Sequence, residues 1–431
     1  MSIVHKIEAF FPTSWVEKWR LFKRYTIKHR SYAKKINELQ KVNRPIRVCF
    51  LALDASVWKY NSLYRLMESD SVFEPIVLVC PIVNAGREIM LHKMSICYKD
   101  FKNRGYNVLK SYDEATDTYI PLTSISPDII FYTNPYRGLI EDRYYINHIN
   151  GPLTCYLNYG FGMVPYKWAY CTPLHQLVWT YFCETHYHQS KVLNFSKPLS
   201  PNIYVSGYPM YDEFIDNNKD ICNIWKLHDR SLKRVIWAPH HSIFDIVEND
   251  EDVEVKWSTF LLYSDKMVQL AQKYANKVQF VFKPHPVLKQ NLYKHKDWGK
   301  AKTDAYYNLW ESMPNTTLSE ANYVDLFSTS DAIIHDCGSF TVEYLYTRKP
   351  CMWLSTYADI DRFNHVGIDA FNCYYKGLSI SDVENFILRV IAEEDPMYET
   401  RETFVNRYLR PFNNLTVGQN IVAYLKGQLN K

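Results

Sequence analysis

The most constraining feature of this sequence is an alternation that occurs twice. From Arg47 onward, short apolar runs of strand length ("IRVCFLAL", "EPIVLVCP", "SPDIIFYT", "GPLTCYL") are separated by helix-like stretches such as "NSLYRLMES" and "MSICYKDFKNRGYNV". Strands alternating with helices predict βαβ units, in which a parallel sheet is buried on both faces and its strands read as continuous apolar runs. The pattern breaks in the polar residues 214–233 and restarts. "KRVIWAP", "VQFVFKPHP", "TTLSE", "DAIIHD" and "KPCMWLS" again have strand character, with helical "FLLYSDKMVQLAQKYA" and "FTVEYLYT" among them. An α/β fold of two Rossmann-like domains facing across a cleft follows. The 431 residues agree, since single cores stop growing at about 250–300 residues. The expected divisions are an N-terminal helical segment over 1–44, a first Rossmann-like domain over 45–213 and a linker over 214–233. A second Rossmann-like domain covers 234–400, and closing helices over 401–431 brace the first.

Charge is placed unevenly. The net charge is +4, yet residues 1–44 alone carry +8, which leaves −4 on the rest. Phe11, Trp15, Trp19 and Phe22 recur at helical spacing there, with Lys18, Lys23, Arg24, Lys28 and Arg30 around them. A basic helix with an aromatic face suits an anionic membrane surface; the plainer reading is a helix packed on the body with its charges solvated. Nucleic acid is not expected as a partner, because the positive charge does not extend along the chain. No run of about 18 apolar residues occurs, so no membrane span is expected. The ten cysteines include no C-x-x-C pair and sit mostly in apolar runs, which with no leader segment points to the cytoplasm. Cys183, His186 and His188 lack a second ligand pair at structural zinc spacing, and no metal or cofactor is expected.

In open α/β sheets ligands lie beyond the carboxyl ends of the strands. Three such exits in the second half carry polar groups. "VIWAPHHS" supplies His240 and His241, and "FVFKPHP" supplies Lys283 and His285, the latter held between two prolines. "IIHDCGSFTVEYLYT" supplies Asp336, Gly338 and Ser339 at the start of an expected helix. A helix N-terminus with a glycine and a hydroxyl is a natural seat for phosphate. Glu343, one turn deeper, is placed to accept from ribose hydroxyls. In the first half, Asp54 stands at a strand exit, while Tyr159 with Gly160 at another exit and Asp212 near the linker are placed on the acceptor side. Asp54 is the first candidate general base, with His240 or His241 as the second. Asp359 and Asp361 form an Asp-x-Asp after the last expected strand, read as an acidic loop without metal.

The run "YVDLFSTSDAIIHDCGSFTVEYLYTRKPCMWL" resembles the core motif of the CDP-glycerol glycerophosphotransferases, which build teichoic-acid-like polymers. "FKPHP" resembles the family's Arg-x-His-Pro, with Lys283 in place of Arg, and "VIWAPHHS" its Tyr-Ala-Pro exit. "VSGYPMYDEF" resembles its Gly-x-Pro-x-x-Asp segment. The resemblance covers roughly 150–425. It implies a GT-B fold with the donor nucleotide on the second domain, which agrees with His241, Lys283, His285, Asp336, Gly338, Ser339 and Glu343 as donor-binding residues and with Asp54, His240 and His285 as catalytic ones. It also implies no metal, a lipid-linked acceptor and attachment to the inner membrane face. Where the family carries a His-Gly pair as presumed base, this chain has Tyr159-Gly160, and tyrosine at its ordinary pKa near 10 is a poor base. Three activities stay open: transfer from CDP-glycerol or a nucleotide sugar, a UDP-sugar 2-epimerase-like reaction, and a non-catalytic scaffold at the membrane surface.

Overall fold

The computed structural model describes residues 13–215, 223–229, 231–243, 258–319, 323–338, 340–355 and 363–431. Phe11, Ser339, Asp359 and Asp361 therefore lie outside the described residues. The chain divides into two compact units. The first comprises the chain to Gly162, Tyr166–Glu213 and Pro411–Lys431; the second comprises Met163–Pro165 and Phe214–Arg410.

Seven strands build the sheet of the first unit: β1 (Ile46–Ala52), β2 (Phe73–Val79), β3 (Val108–Lys110), β4 (Ile129–Tyr132), β5 (Leu153–Leu157), β6 (Thr180–Cys183) and β7 (Asn202–Val205). They lie in the order β3-β2-β1-β4-β5-β6-β7, every neighbouring pair parallel. β4, β5 and β6 are buried along their whole length, as expected for strands covered on both faces. The second unit repeats the plan with six strands among its described residues, β8 (Lys233–Ala238), β9 (Val278–Phe282), β10 (Thr316–Leu318), β11 (Ala332–His335), β12 (Cys351–Leu354) and β13 (Tyr375–Gly377). Their order is β10-β9-β8-β11-β12-β13, again all parallel. Each sheet thus reverses its winding beside its first strand, the switch point at which ligands of such sheets bind.

The strands β3, β6, β7 and β13 are absent from the sequence reading. β3 is three residues long and follows a helix, α2 (Arg87–Asn103), that stops at Gly105; its φ of +73° is a left-handed geometry that glycine adopts without strain. The expected helix from Phe340 is also shorter than read. One α turn, Phe340–Glu343, passes into a 3-10 turn, Tyr344–Thr347, and ends at left-handed Arg348. A single turn aligns few peptide dipoles, so the anion-attracting end inferred there is weak.

The N-terminal helix α1 (Thr13–Leu39) has two characters. From Tyr25 onward it is bonded to the first unit. Tyr25 Oη donates to Ser200 O, and Tyr32 Oη donates to Leu177 O and lies 2.6 Å from Thr154 Oγ1. Lys35 pairs with the buried Asp128 at 2.9 Å. Lys28, read as a surface cation, is instead buried and donates to Ile149 O, and that burial lowers its pKa to about 8. Trp15, Trp19 and Phe22 are 65%, 49% and 55% exposed.

The closing helix α3 (Val417–Leu429) belongs to the first unit, and its seat explains "VSGYPMYDEF". Buried Asp212 accepts the Val417 and Gly418 N–H groups, both at 2.8 Å, and so caps the helix. Gly207, at φ +98°, leaves only 2.9 Å between an added Cβ and the Val417 side chain. Asp212, placed by sequence on the acceptor side, is therefore committed to holding this helix. Asp212→Ala should destabilise the protein by about 1–3 kcal/mol, read as a lower urea midpoint, because two buried N–H groups lose their acceptor.

Candidate functional site

The register of the second sheet assembles the candidate site. Parallel pairing sets Ala238 opposite His335 and Trp237 opposite Phe282, so the exits of β8, β9 and β11 leave one edge side by side. The pairing continues past the strands. Lys283 N donates to Trp237 O at 2.8 Å, and His285 N donates to Pro239 O at 3.1 Å. The rings of His240, His241 and His285 meet as a result. Their centroids lie 4.2 Å (240–241), 4.3 Å (241–285) and 5.3 Å (240–285) apart. Asn291 steadies the edge by donating to His241 O at 2.9 Å.

Asp336 and Thr259 hold this arrangement from beneath. Asp336 is 1% exposed and accepts His240 N at 2.6 Å, Thr259 N at 2.5 Å and Thr259 Oγ1 at 2.8 Å. Burial raises its pKa to about 6 even though these bonds pull the other way. Read from sequence as a donor-binding group, Asp336 is instead spent on three donors of the protein and fixes the His240 backbone. Thr259 escaped sequence reading because it precedes a helix some 77 residues away in sequence and no local pattern pairs it with Asp336.

The ring nitrogens are differentiated. A backbone N–H can only donate, so Ser242 N (3.3 Å) makes His240 Nδ1 an acceptor, and Val287 N (3.2 Å) does the same for His285 Nδ1. Neutral imidazole then carries its proton on Nε2. Burial and the neighbouring imidazoles push His240 down to about 2; burial, His241 and Lys283 push His285 down to about 4. Both rings are thus neutral N–H donors near neutral pH. One ring nitrogen of each of the three histidines lies within 4.8 Å of the others, a spacing that also suits a metal ion. Nε2 protons and the adjacent Lys283 cation make the donor set fit an anion better than a cation. As a proton acceptor, His240 is poorly suited to the base role that sequence suggested for it.

The remaining candidates are dispersed. No described residue lies within 4 Å of a Cβ added to Gly338, whereas Glu343 is buried. In the first unit Asp54 accepts Ser56 N at 2.8 Å and caps a 3-10 turn. Tyr159 and Gly160 follow β5, and burial together with Tyr136 pushes the Tyr159 phenol well up, away from any role as base at neutral pH. Cys183 and His188 are buried, and His188 is taken up by Gly162 and Thr185.

Two parallel, doubly wound sheets, the second with three imidazoles at its carboxyl edge, define an α/β protein of the GT-B type. Residues 172–425, more than half of the chain, match the family described as CDP-Glycerol:Poly(glycerophosphate) glycerophosphotransferase. The chain belongs to that family. Among solved structures, the wall teichoic acid polymerase TagF matches at 13% identity, covering 98% of this chain and 100% of that one, with a TM-score of 0.56. S. aureus MnaA, solved with UDP, matches at 15% identity over 89% of this chain and 97% of that one (TM-score 0.54). UDP-GlcNAc 2-epimerase from Neisseria meningitidis, solved with UDP-GlcNAc, matches at 14% over 90% and 100% (TM-score 0.53). At these identities the likeness shows the fold. Curated proteins give no match.

The depressed imidazole pKa values have a signed consequence. As pH falls from 6.5 toward 4, the unfolded chain takes up a proton at each of these histidines before the folded protein does, so stability falls on acidification. His285→Asn should reduce the slope of unfolding free energy against pH in this window by about one proton, measured by urea titrations at several pH values.

Proposed function

We propose that this chain is a transferase that takes a glycerophosphate or glycosyl unit from a nucleotide-diphosphate donor, CDP-glycerol or a relative of it. The acceptor is a lipid-linked, teichoic-acid-like or cell-surface polysaccharide chain. The observation that carries the reading is the cluster of His240, His241 and His285 beside Lys283 at the switch point of a sheet, in a chain of the glycerophosphotransferase family. With CDP-glycerol, the acceptor hydroxyl oxygen attacks the β-phosphorus, the bond from that phosphorus to the bridging oxygen breaks, CMP departs with the electron pair, and the hydroxyl proton is released to solvent. Imidazole N–H groups and the Lys283 ammonium are suited to hold the charge that grows on the leaving phosphate. The second unit is read as the donor side and the first, with Tyr159 and Gly160, as the acceptor side.

The donor claim is tested by thermal shift and by CMP release. CDP should stabilise the wild type at millimolar concentration, and Lys283→Ala should weaken that response by about tenfold or more, the loss of a charge-assisted bond. CDP-glycerol and a panel of nucleotide sugars, compared by nucleotide release, identify the donor. A wild type that no nucleoside diphosphate stabilises overturns the reading.

The exposed Trp15, Trp19 and Phe22, set among Lys18, Lys23 and Arg24, support contact with an anionic bilayer surface, where a lipid-linked acceptor would lie. The protein should cosediment with phosphatidylglycerol vesicles and much less with phosphatidylcholine ones. Replacing all three aromatics by Ala should cut that binding by about tenfold or more, since each buries apolar area on contact. Equal binding by the triple variant would assign these side chains to another partner.

A further inference from the structure

Glu184 immediately follows β6, and neither it nor its neighbour His188 exposes any side-chain surface. Its Oε1 accepts from Asn158 Nδ2 at 2.8 Å and from Gly162 N at 3.2 Å. Its Oε2 accepts no hydrogen bond from the described residues and lies 3.9 Å from His188 Nδ1. His188 completes the grip. A carbonyl can only accept, so His188 Nε2 donates to Gly162 O at 2.7 Å, while Nδ1 faces the Thr185 hydroxyl at 2.8 Å. Gly162 is thus held at both its N–H and its C=O, and a Cβ there would sit 3.1 Å from the His188 ring. Phe161 packs edge-on against the same ring, with centroids 5.0 Å apart.

The bonds of Glu184 and the Nε2 bond of His188 all reach one short segment, Asn158–Gly162, the exit of β5 that carries Tyr159 and Gly160. A buried carboxylate oxygen without a donor opposes folding, and packing alone would be served better by an apolar residue. We propose that Glu184 and His188 are positioning residues that fix the β5 exit in the conformation needed for turnover on the acceptor side. Neither touches substrate; they act through the backbone of Gly162 and the side chain of Asn158. This rests on the transferase reading above.

The test compares Glu184→Ala and Glu184→Gln in the full chain. Turnover is measured with CDP-glycerol and a short lipid-linked glycerophosphate primer, and the thermal response to CDP is measured separately. Glu184→Ala should lower kcat by roughly 10- to 100-fold, the scale of a small misplacement of reacting groups, with the CDP response unchanged. Glu184→Gln keeps an oxygen that accepts from Asn158 and Gly162 and should recover most of the lost rate. Wild-type turnover in Glu184→Ala, or equal loss in both variants, overturns the proposal. So does loss of kcat and CDP response together, which would indicate a general structural role. Should Glu184→Ala not fold, Gly162→Ala decides: its Cβ presses on His188, so kcat must fall while the CDP response stays. A wild type that responds to CDP but shows no dependence on Glu184 refutes only this proposal, whereas a wild type without any CDP response refutes the transferase reading.

Discussion

Parallel strand pairing is the constraint on which the rest of this structure depends. When every strand of a sheet runs the same way, all carboxyl ends emerge on one edge, and the strands between are buried on both faces. Polar chemistry has nowhere else to go. In the second sheet the central strand β8 is flanked by β9 and β11, and the ladder runs on past their ends to join Lys283 to Trp237 and His285 to Pro239. Three histidines that lie up to 45 positions apart in the chain thereby become ring neighbours. The same constraint in the first sheet sets Glu184 beside Asn158, at the exits of two paired strands.

The electrostatics of the imidazole edge follow from this burial. Histidines crowded together and next to a lysine resist protonation, and backbone N–H groups directed at Nδ1 leave Nε2 as the donor. The result is a set of neutral donors whose hydrogen-bonding role does not depend on pH near neutrality. Asp336 supplies the rigidity. Its carboxylate is spent on Thr259 and the backbone of His240, and the raised pKa reflects burial outweighing those bonds.

Much of the fold was legible because burial on both faces imposes a strong local signature. The runs at 46–53, 74–81, 233–239 and 278–286 contain the strands β1, β2, β8 and β9, and "NSLYRLMES" is the helix Asn61–Ser69. The strands that escaped notice have physical reasons for it. β3, β7 and β13 are partly exposed edge strands without a continuous apolar run, and β6 follows closely on the short helix Pro173–Leu177 and merges with it into one apolar stretch. The site was legible as a set of strand exits, and His240, His241 and His285 do come together. The roles were less so: Asp212 reads as a polar residue near a linker and proves to be the cap of a helix some 200 residues further on.

What the sequence by itself determined is the alternation, and with it two parallel α/β units whose polar residues stand at strand ends. That information is local, because an apolar run, a turn residue or a helical stripe is defined within a few positions. Only the tertiary structure decided which polar groups face outward and which are consumed as supports. Asp336, Asp212 and Glu184 are all acidic residues at element ends, indistinguishable by neighbours in the chain. Each became a buried acceptor because distant backbone N–H groups, of Thr259, of Val417 and Gly418, and of Gly162, had to be satisfied once water was excluded.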